Sequence, residues 1–298
     1  MPEFNFSDAQ SALSFTVSQA SYIESQVLNV PYPEIRYAQM IPVDTSAPEF
    51  SASVTFFSQD NVGRAKLMNG KADDVPFVNL IRTKFEQGVL DAGIGYEFSL
   101  TEIGQAMMLG RSLGTEGASA ARLAYEQLVD GVALAGDSGY EGLYNTTGIT
   151  STAAAAAWAG ATAAQILADV NAVLSRIVAA TGGIDVPNTL VLPLAQYSLI
   201  AGKQIDATSS MTIMEYVQKS NVYTAMTGQP LTIIADVRLS AKAVAYKRDP
   251  AVLKLHMPMA LRFLPPQLVG LKVQVPAMFR FAPLNIRRPK AIQYVSGL

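Results

Sequence analysis

The hydrophobic positions of this chain change period several times, and each change predicts an element. From Phe50 to about Asp91 apolar and polar residues alternate. Ser53-Val54-Thr55-Phe56-Phe57 is rich in β-branched and aromatic residues, and Thr83, Phe85, Gln87 and Val89 continue the alternation on the far arm. Between them lies Leu67-Met68-Asn69-Gly70-Lys71-Ala72-Asp73-Asp74, whose Asn-Gly pair is the strongest short signal for a tight hairpin turn. So long a hairpin is marginal in water unless something packs along it. Either a neighbouring subunit does so, or the two arms are ordinary strands of a larger sheet.

Ile94 to Leu100 predicts another strand, and Thr101 to Leu109 a short helix. The period then becomes helical. Thr115 is the expected N-cap, Glu116 falls in the first turn, and Ala121, Ala124, Tyr125, Leu128 and Val132 mark the expected buried face. Gly136 should stop this helix near Ala135, and a loop of small and polar residues runs on to Ile149. After an alanine-rich stretch, Thr162 should cap an amphipathic helix ending near Thr181, with Ile166, Val170, Val173, Leu174 and Ile177 inward. Thr189–Leu192 reads as a buried strand, Ala195–Ala201 and Thr212–Ser220 as helices, and Leu231–Ala235 as a strand. From Ala241 onward the chain is β-rich, at Ala243–Tyr246, Val252–Met257, Leu271–Val275, Met278–Phe281 and Ala291–Val295, with prolines dividing the strands. Residues 1–48 are punctuated by Pro31, Pro33, Pro42 and Pro48 and read as an extended arm, which is either a loose terminus or a strap over a neighbour.

Composition sharpens this picture. Half of the 298 residues are hydrophobic and 15% are charged, against about 25% charged in an ordinary soluble domain. Some surface must absorb the excess. The alanine run near Ala153–Ala164 is too short and too weakly apolar for a membrane span, and no basic, then apolar, leader opens the chain. Subunit interfaces are the better sink, since obligate ones resemble a core cut in half. The net charge of −2 gives no basic patch for gripping nucleic acid.

The chemistry-bearing residues are sparse. There is no cysteine and one histidine, which removes disulfides, thiol nucleophiles and the usual zinc sites. His256 has no acidic neighbour in sequence to orient it as a catalytic base and is expected to be a satisfied structural residue. Gly70-Lys71 is followed by Ala72 and lies in a hairpin, so it fails as a phosphate-binding loop. Asp73-Asp74 would point to opposite faces at an exposed turn and suits ion pairing rather than metal binding. Arg287-Arg288 suits a buried or interface salt bridge, and Trp158 a place in the core. No cofactor and no metal is expected. The residues expected to touch neighbouring subunits are those near the hairpin tip: Arg64, Lys66, Asn69, Gly70, Lys71, Asp73 and Asp74.

The order arm, long hairpin, strand, long helix, glycine loop, α/β subdomain and closing β-segment resembles the Hong Kong 97-type major capsid proteins of tailed phages, whose fold encapsulins share. Gly136-Asp137 and Gly142-Leu143-Tyr144-Asn145-Thr146-Thr147-Gly148-Ile149 look like that family's exit from its spine helix, and Phe279-Arg280-Phe281 with Ala291-Ile292-Gln293-Tyr294-Val295 like its closing strands. The resemblance implies an α+β fold. Its parts would be an N-terminal arm at 1–48, an extended hairpin loop at 49–91 and a peripheral domain with a spine helix at 92–149. An axial domain at 150–240 and a closing peripheral segment at 241–298 would complete it. The resemblance also implies a non-enzymatic subunit that assembles with itself, as pentamers and hexamers, into an icosahedral virion shell around double-stranded DNA, in the host bacterial cytoplasm. Portal, scaffolding or decoration proteins would be further partners, and no membrane is implied. Two other readings stand beside it, an encapsulin-type compartment around a cargo enzyme and an α/β enzyme of unknown activity.

Overall fold

The computed structural model describes residues 34–62, 65, 77–109, 113–137, 139–206, 208–240 and 242–298. One compact unit spans Ile35–Leu298. Its elements in chain order are α1 (Tyr37–Met40), β1 (Val43–Asp44), β2 (Ser53–Val62), β3 (Asn79–Gly88), β4 (Leu90–Ser99), α2 (Leu100–Leu109), α3 (Leu113–Leu134), β5 (Ser151–Ala153), α4 (Ala163–Ala180) and β6 (Thr189–Pro193). Then come α5 (Leu194–Gly202), α6 (Ile213–Lys219), α7 (Val222–Thr227), β7 (Thr232–Asp236), β8 (Lys242–Tyr246), β9 (Leu253–His256), β10 (Met259–Phe263), β11 (Gln267–Val269), β12 (Lys272–Phe281), β13 (Asn285–Ile286) and β14 (Ile292–Ser296).

The centre is a five-stranded sheet in the order β5-β14-β8-β6-β7. Both of its faces are covered, which is why β6 is buried along its whole length and reads as an unbroken apolar run. Side chains alternate across it. Val191, Val244, Tyr246, Ile292 and Tyr294 join a core with α3, Phe279 and Phe281. Leu190, Leu192, Ala243, Ala245 and Val295 join a second core under α4 and Trp158. The expected stripe of α4 is all inside, and Thr162 closes a capping box with Gln165. This helix is long and apolar enough to cross a membrane, a better candidate than the alanine run, but its stripe packs on the sheet.

A second sheet pairs β4 with β12, and β10 and β11 share the far edge of β12. Chain 241–298 therefore serves both sheets, β8 and β14 the first and β12 the second. A third sheet, β1-β9-β13, ties the chain just before the hairpin to the later segments.

Several expectations need correction. Helix α3 starts at Leu113, so Thr115 lies inside it rather than capping it. Its inner face carries Ala121, Tyr125, Val129, Val132, Ala133 and Leu134, whereas Leu128 is 41% exposed. The expected stripe holds at Ala121, Tyr125 and Val132, but Val129 takes the inward place expected for Leu128. Pro276 does not split a strand, because β12 runs through it for ten residues. In an antiparallel strand the N–H and C=O of one residue point to the same side. Pro276 accepts from the Leu264 N–H at 2.8 Å, so its missing donor faces the gap where β10 has ended and β11 has not begun. Helix α7 and strands β10 and β11 have no counterpart among the elements expected from the sequence.

Candidate assembly surface

The hairpin is the feature least explained by the subunit itself. β2 and β3 pair antiparallel from Ser53↔Gly88 to Val62↔Asn79 and, among the described residues, form a sheet of their own. Every residue of β3 except Gln87 is exposed. Phe57, Phe77, Val78, Leu80, Ile81 and Phe85 all present apolar surface to solvent. Ile81 and Phe85 lie on one face and Phe57 and Leu80 on the other, so both faces of the ribbon expose apolar surface, and a two-stranded ribbon does not hold its shape alone.

Its root, by contrast, is fastened. Phe56 stacks on its cross-strand neighbour Phe85 with ring centroids 5.0 Å apart. The Arg287 guanidinium lies over Phe56, 4.8 Å from the ring centroid, so a cation on the chain after β13 grips the aromatic pair. Gln87 Nε2 donates to the Pro283 carbonyl at 2.9 Å, and Asn285 Nδ2 donates to Gln87 Oε1 at 2.8 Å. Just before the hairpin, Glu49 pairs with Arg262 at 2.7 Å, and its carbonyl accepts from Arg280 Nη1 at 2.8 Å. On the hairpin surface Glu86 accepts from Ser53 at 2.6 Å and Lys84 at 2.8 Å. The lysine first, then the serine, draws its carboxyl below the usual range.

A buried polar lock holds the chain segment that leads to this root. Asp130 on α3 is fully buried and accepts the backbone N–H groups of Arg36 and Tyr37, at 2.9 and 2.7 Å, and the Arg238 guanidinium. Arg36 donates in turn to the Ala235 carbonyl. Tyr144, in the loop after α3, donates to Asp236 at 2.5 Å. Burial, helped by that carboxylate, pushes its phenol far above the ordinary tyrosine range. Asp130 was not among the residues singled out from the sequence, although an aspartate next to the apolar Val129 on a helix is a usable signal.

The seven tip residues expected from the sequence to touch neighbours, Arg64, Lys66, Asn69, Gly70, Lys71, Asp73 and Asp74, lie outside the described residues. Arg287 and Arg288 separate in role: Arg288 pairs with the buried Asp185 at 3.1 Å, and Arg287 serves the hairpin. His256 is buried but not satisfied, since neither ring nitrogen has a hydrogen-bond partner among the described residues. Among those residues no three Asp, Glu or His side chains are grouped to hold a metal ion.

The family described as "Major capsid protein" matches residues 63–298, most of the chain. The chain belongs to the major capsid protein family. It is thus a structural component of a virion shell, built by association of its own copies. The capsid of the Myoviridae phage XM1 has a similar structure, with a TM-score of 0.80 at 16% identity, covering 94% of this chain and 98% of that one. The capsid of an empty GTA particle gives 0.60 at 11%, covering 96% and 97%. A virus-like particle from Pyrococcus furiosus gives 0.55 at 15%, covering 87% and 91%. At these identities the likeness establishes the fold, the Hong Kong 97-type α+β capsid fold. A comparison with curated proteins gives no match.

Proposed function

We propose that this subunit forms pentamers and hexamers of a closed icosahedral shell around double-stranded DNA, assembled in the cytoplasm of a host bacterium. The carrying observation is the hairpin: a ribbon rooted firmly in its own subunit whose apolar length is exposed. A surface of that kind is completed by a neighbouring copy. In this reading 1–48 is an arm, 49–91 the extended loop and 92–149 the peripheral part with α3 as spine. Residues 150–240 form the axial part, and 241–298 is a closing segment that lends strands to both sheets. The tip residues Arg64 to Asp74 contact the neighbour. A portal, and scaffolding or decoration proteins, are the expected further partners. The subunit itself carries out no catalysis.

Negative-stain microscopy of the protein expressed alone tests the reading directly, with closed particles expected. Deleting Arg64 to Asp74 should leave a folded subunit and abolish or distort the particles. Wild-type-like particles from the deletion would refute the role given to the tip. The contents of particles isolated from infected cells separate this reading from a compartment around cargo: DNA supports it, and an enclosed enzyme opposes it.

A further inference from the structure

The chain's one histidine sits at a junction. His256 ends β9, which pairs in parallel with β1, so that Asp44 faces His256 in register. Hydrogen bonds that secure the pairing include Leu255 N–H to the Pro42 carbonyl at 2.9 Å and Met257 N–H to the Asp44 carbonyl at 2.8 Å. On the other side the His256 carbonyl accepts from the Ala282 N–H at 2.8 Å. Its neighbours Leu255 and Met257 thus hold the strand through which the chain passes on its way to the hairpin, while His256 itself bonds on the opposite side.

His256 is only 4% exposed, and among the described residues neither buried ring nitrogen has a hydrogen-bond partner. The nearest acid is Asp44, with Oδ2 3.6 Å from Nδ1. That carboxylate is already occupied, by Lys254 Nζ at 2.5 Å and by the hydroxyl and N–H of Ser46 at 2.6 and 3.0 Å. The charged groups acting on the ring are Asp44 from β1, Lys254 from β9 itself and Arg287 from the segment after β13. A protonated imidazole would bring a third cation to a site holding one carboxylate, and a second N–H donor where the described residues offer neither ring nitrogen a hydrogen-bond partner. Burial, ahead of these charges, holds the histidine below its ordinary value, while Asp44 opposes that shift.

We infer that His256 is a proton-operated latch: a proton taken up there breaks the hold of β9 on Pro42–Ser46 and frees the near end of the hairpin. The sign follows from linkage. A histidine kept neutral in the fold contributes stability in full above the unfolded value of about 6.5. That contribution shrinks as pH falls below this value and is gone below the folded one. Release is therefore an acid response beginning in the mildly acidic range.

Hydrogen exchange read by mass spectrometry on the intact chain tests this, because the Leu255 and Met257 amides report the pairing itself. Rates are corrected for the intrinsic pH effect and compared between about pH 7.5 and pH 5.5, which brackets ordinary histidine titration. In the wild type, protection over residues 253–257 should fall severalfold, while α3 stays protected. In His256→Gln the same peptide should show no such fall. An unchanged wild-type peptide, or an equal fall in the variant, overturns the latch. Should His256→Gln not fold, Lys254→Met decides. Freeing Asp44 to receive the imidazolium should reduce the acid loss, and an undiminished loss overturns the proposal.

Discussion

Gly95 of β4 lies directly opposite Pro276 of β12, so close that a Cβ at position 95 would meet the Val275 carbonyl oxygen at 2.8 Å and Pro276 Cα at 3.0 Å. Both contacts are backbone, so neither can swing aside. Gly95→Val should therefore destabilise the subunit by about 1–3 kcal/mol, the usual cost of forcing atoms into a packed site. Gly104→Ala, at a helical glycine with nothing within 4 Å, should be neutral or stabilising by up to about 1 kcal/mol. Thermal unfolding of the two variants against wild type checks both signs.

The inward place of Val129 rather than Leu128 on α3 makes a paired prediction. Val129 is fully buried and Leu128 is 41% exposed. Val129→Asp should abolish soluble protein, because an unpaired buried charge costs several kcal/mol against a total of about 5–15. Leu128→Asp should remain folded, as judged by soluble yield and circular dichroism.

Asp130→Ala would leave the Arg238 guanidinium and two backbone N–H groups without their shared acceptor. Breaking one side of a buried pair costs about 3–5 kcal/mol. The chemical-denaturation midpoint should fall accordingly, with the slope unchanged.

Arg287→Ala removes the cation over Phe56. A partly desolvated contact of this type contributes about 1–2 kcal/mol, and here it acts at the hairpin root rather than in the core. Subunit stability should change little. Protease cleavage of the hairpin should accelerate, and closed particles should become rarer by microscopy.

Acid should also act through Asp44, separately from His256. Hydrogen bonds from Lys254 first, then Ser46, hold its carboxyl below the usual range. A depressed acid contributes stability above its unfolded value of about 3.9 and loses it as pH falls through the folded value. Ser46→Ala, which removes one of these bonds and leaves Lys254 in place, should therefore lessen the loss below about pH 4. Denaturation midpoints measured from neutral pH downward check this.

Much of this molecule is legible in residue pattern alone. The two arms of the hairpin, the stripe of α4 with its Thr162 cap, and the buried run of β6 follow from local periodicity. Leu128 misleads because alanines on both sides of α3 leave its apolar face poorly marked. Pro276 misleads because a strand tolerates proline where its partner strands leave a gap, and that gap is a tertiary fact. Helix α7 was findable, since Asn221 caps it and Gly228 closes it in the left-handed region. The Asp44–His256 and Asp130–Arg238 contacts join residues far apart in the chain, and nothing local announces them. For the assembly surface, the sequence pointed to the tip. The root, with Arg287, Phe56 and Gln87, emerges only from the fold.

The placement of β14 between β5 and β8 has a consequence for synthesis. The central sheet lacks an inner strand until residues 292–296 have left the ribosome, and both apolar faces wait for it. A nascent chain therefore stays open along its middle until β14 has emerged. Subunits therefore cannot associate through surfaces that this sheet completes until β14 has emerged.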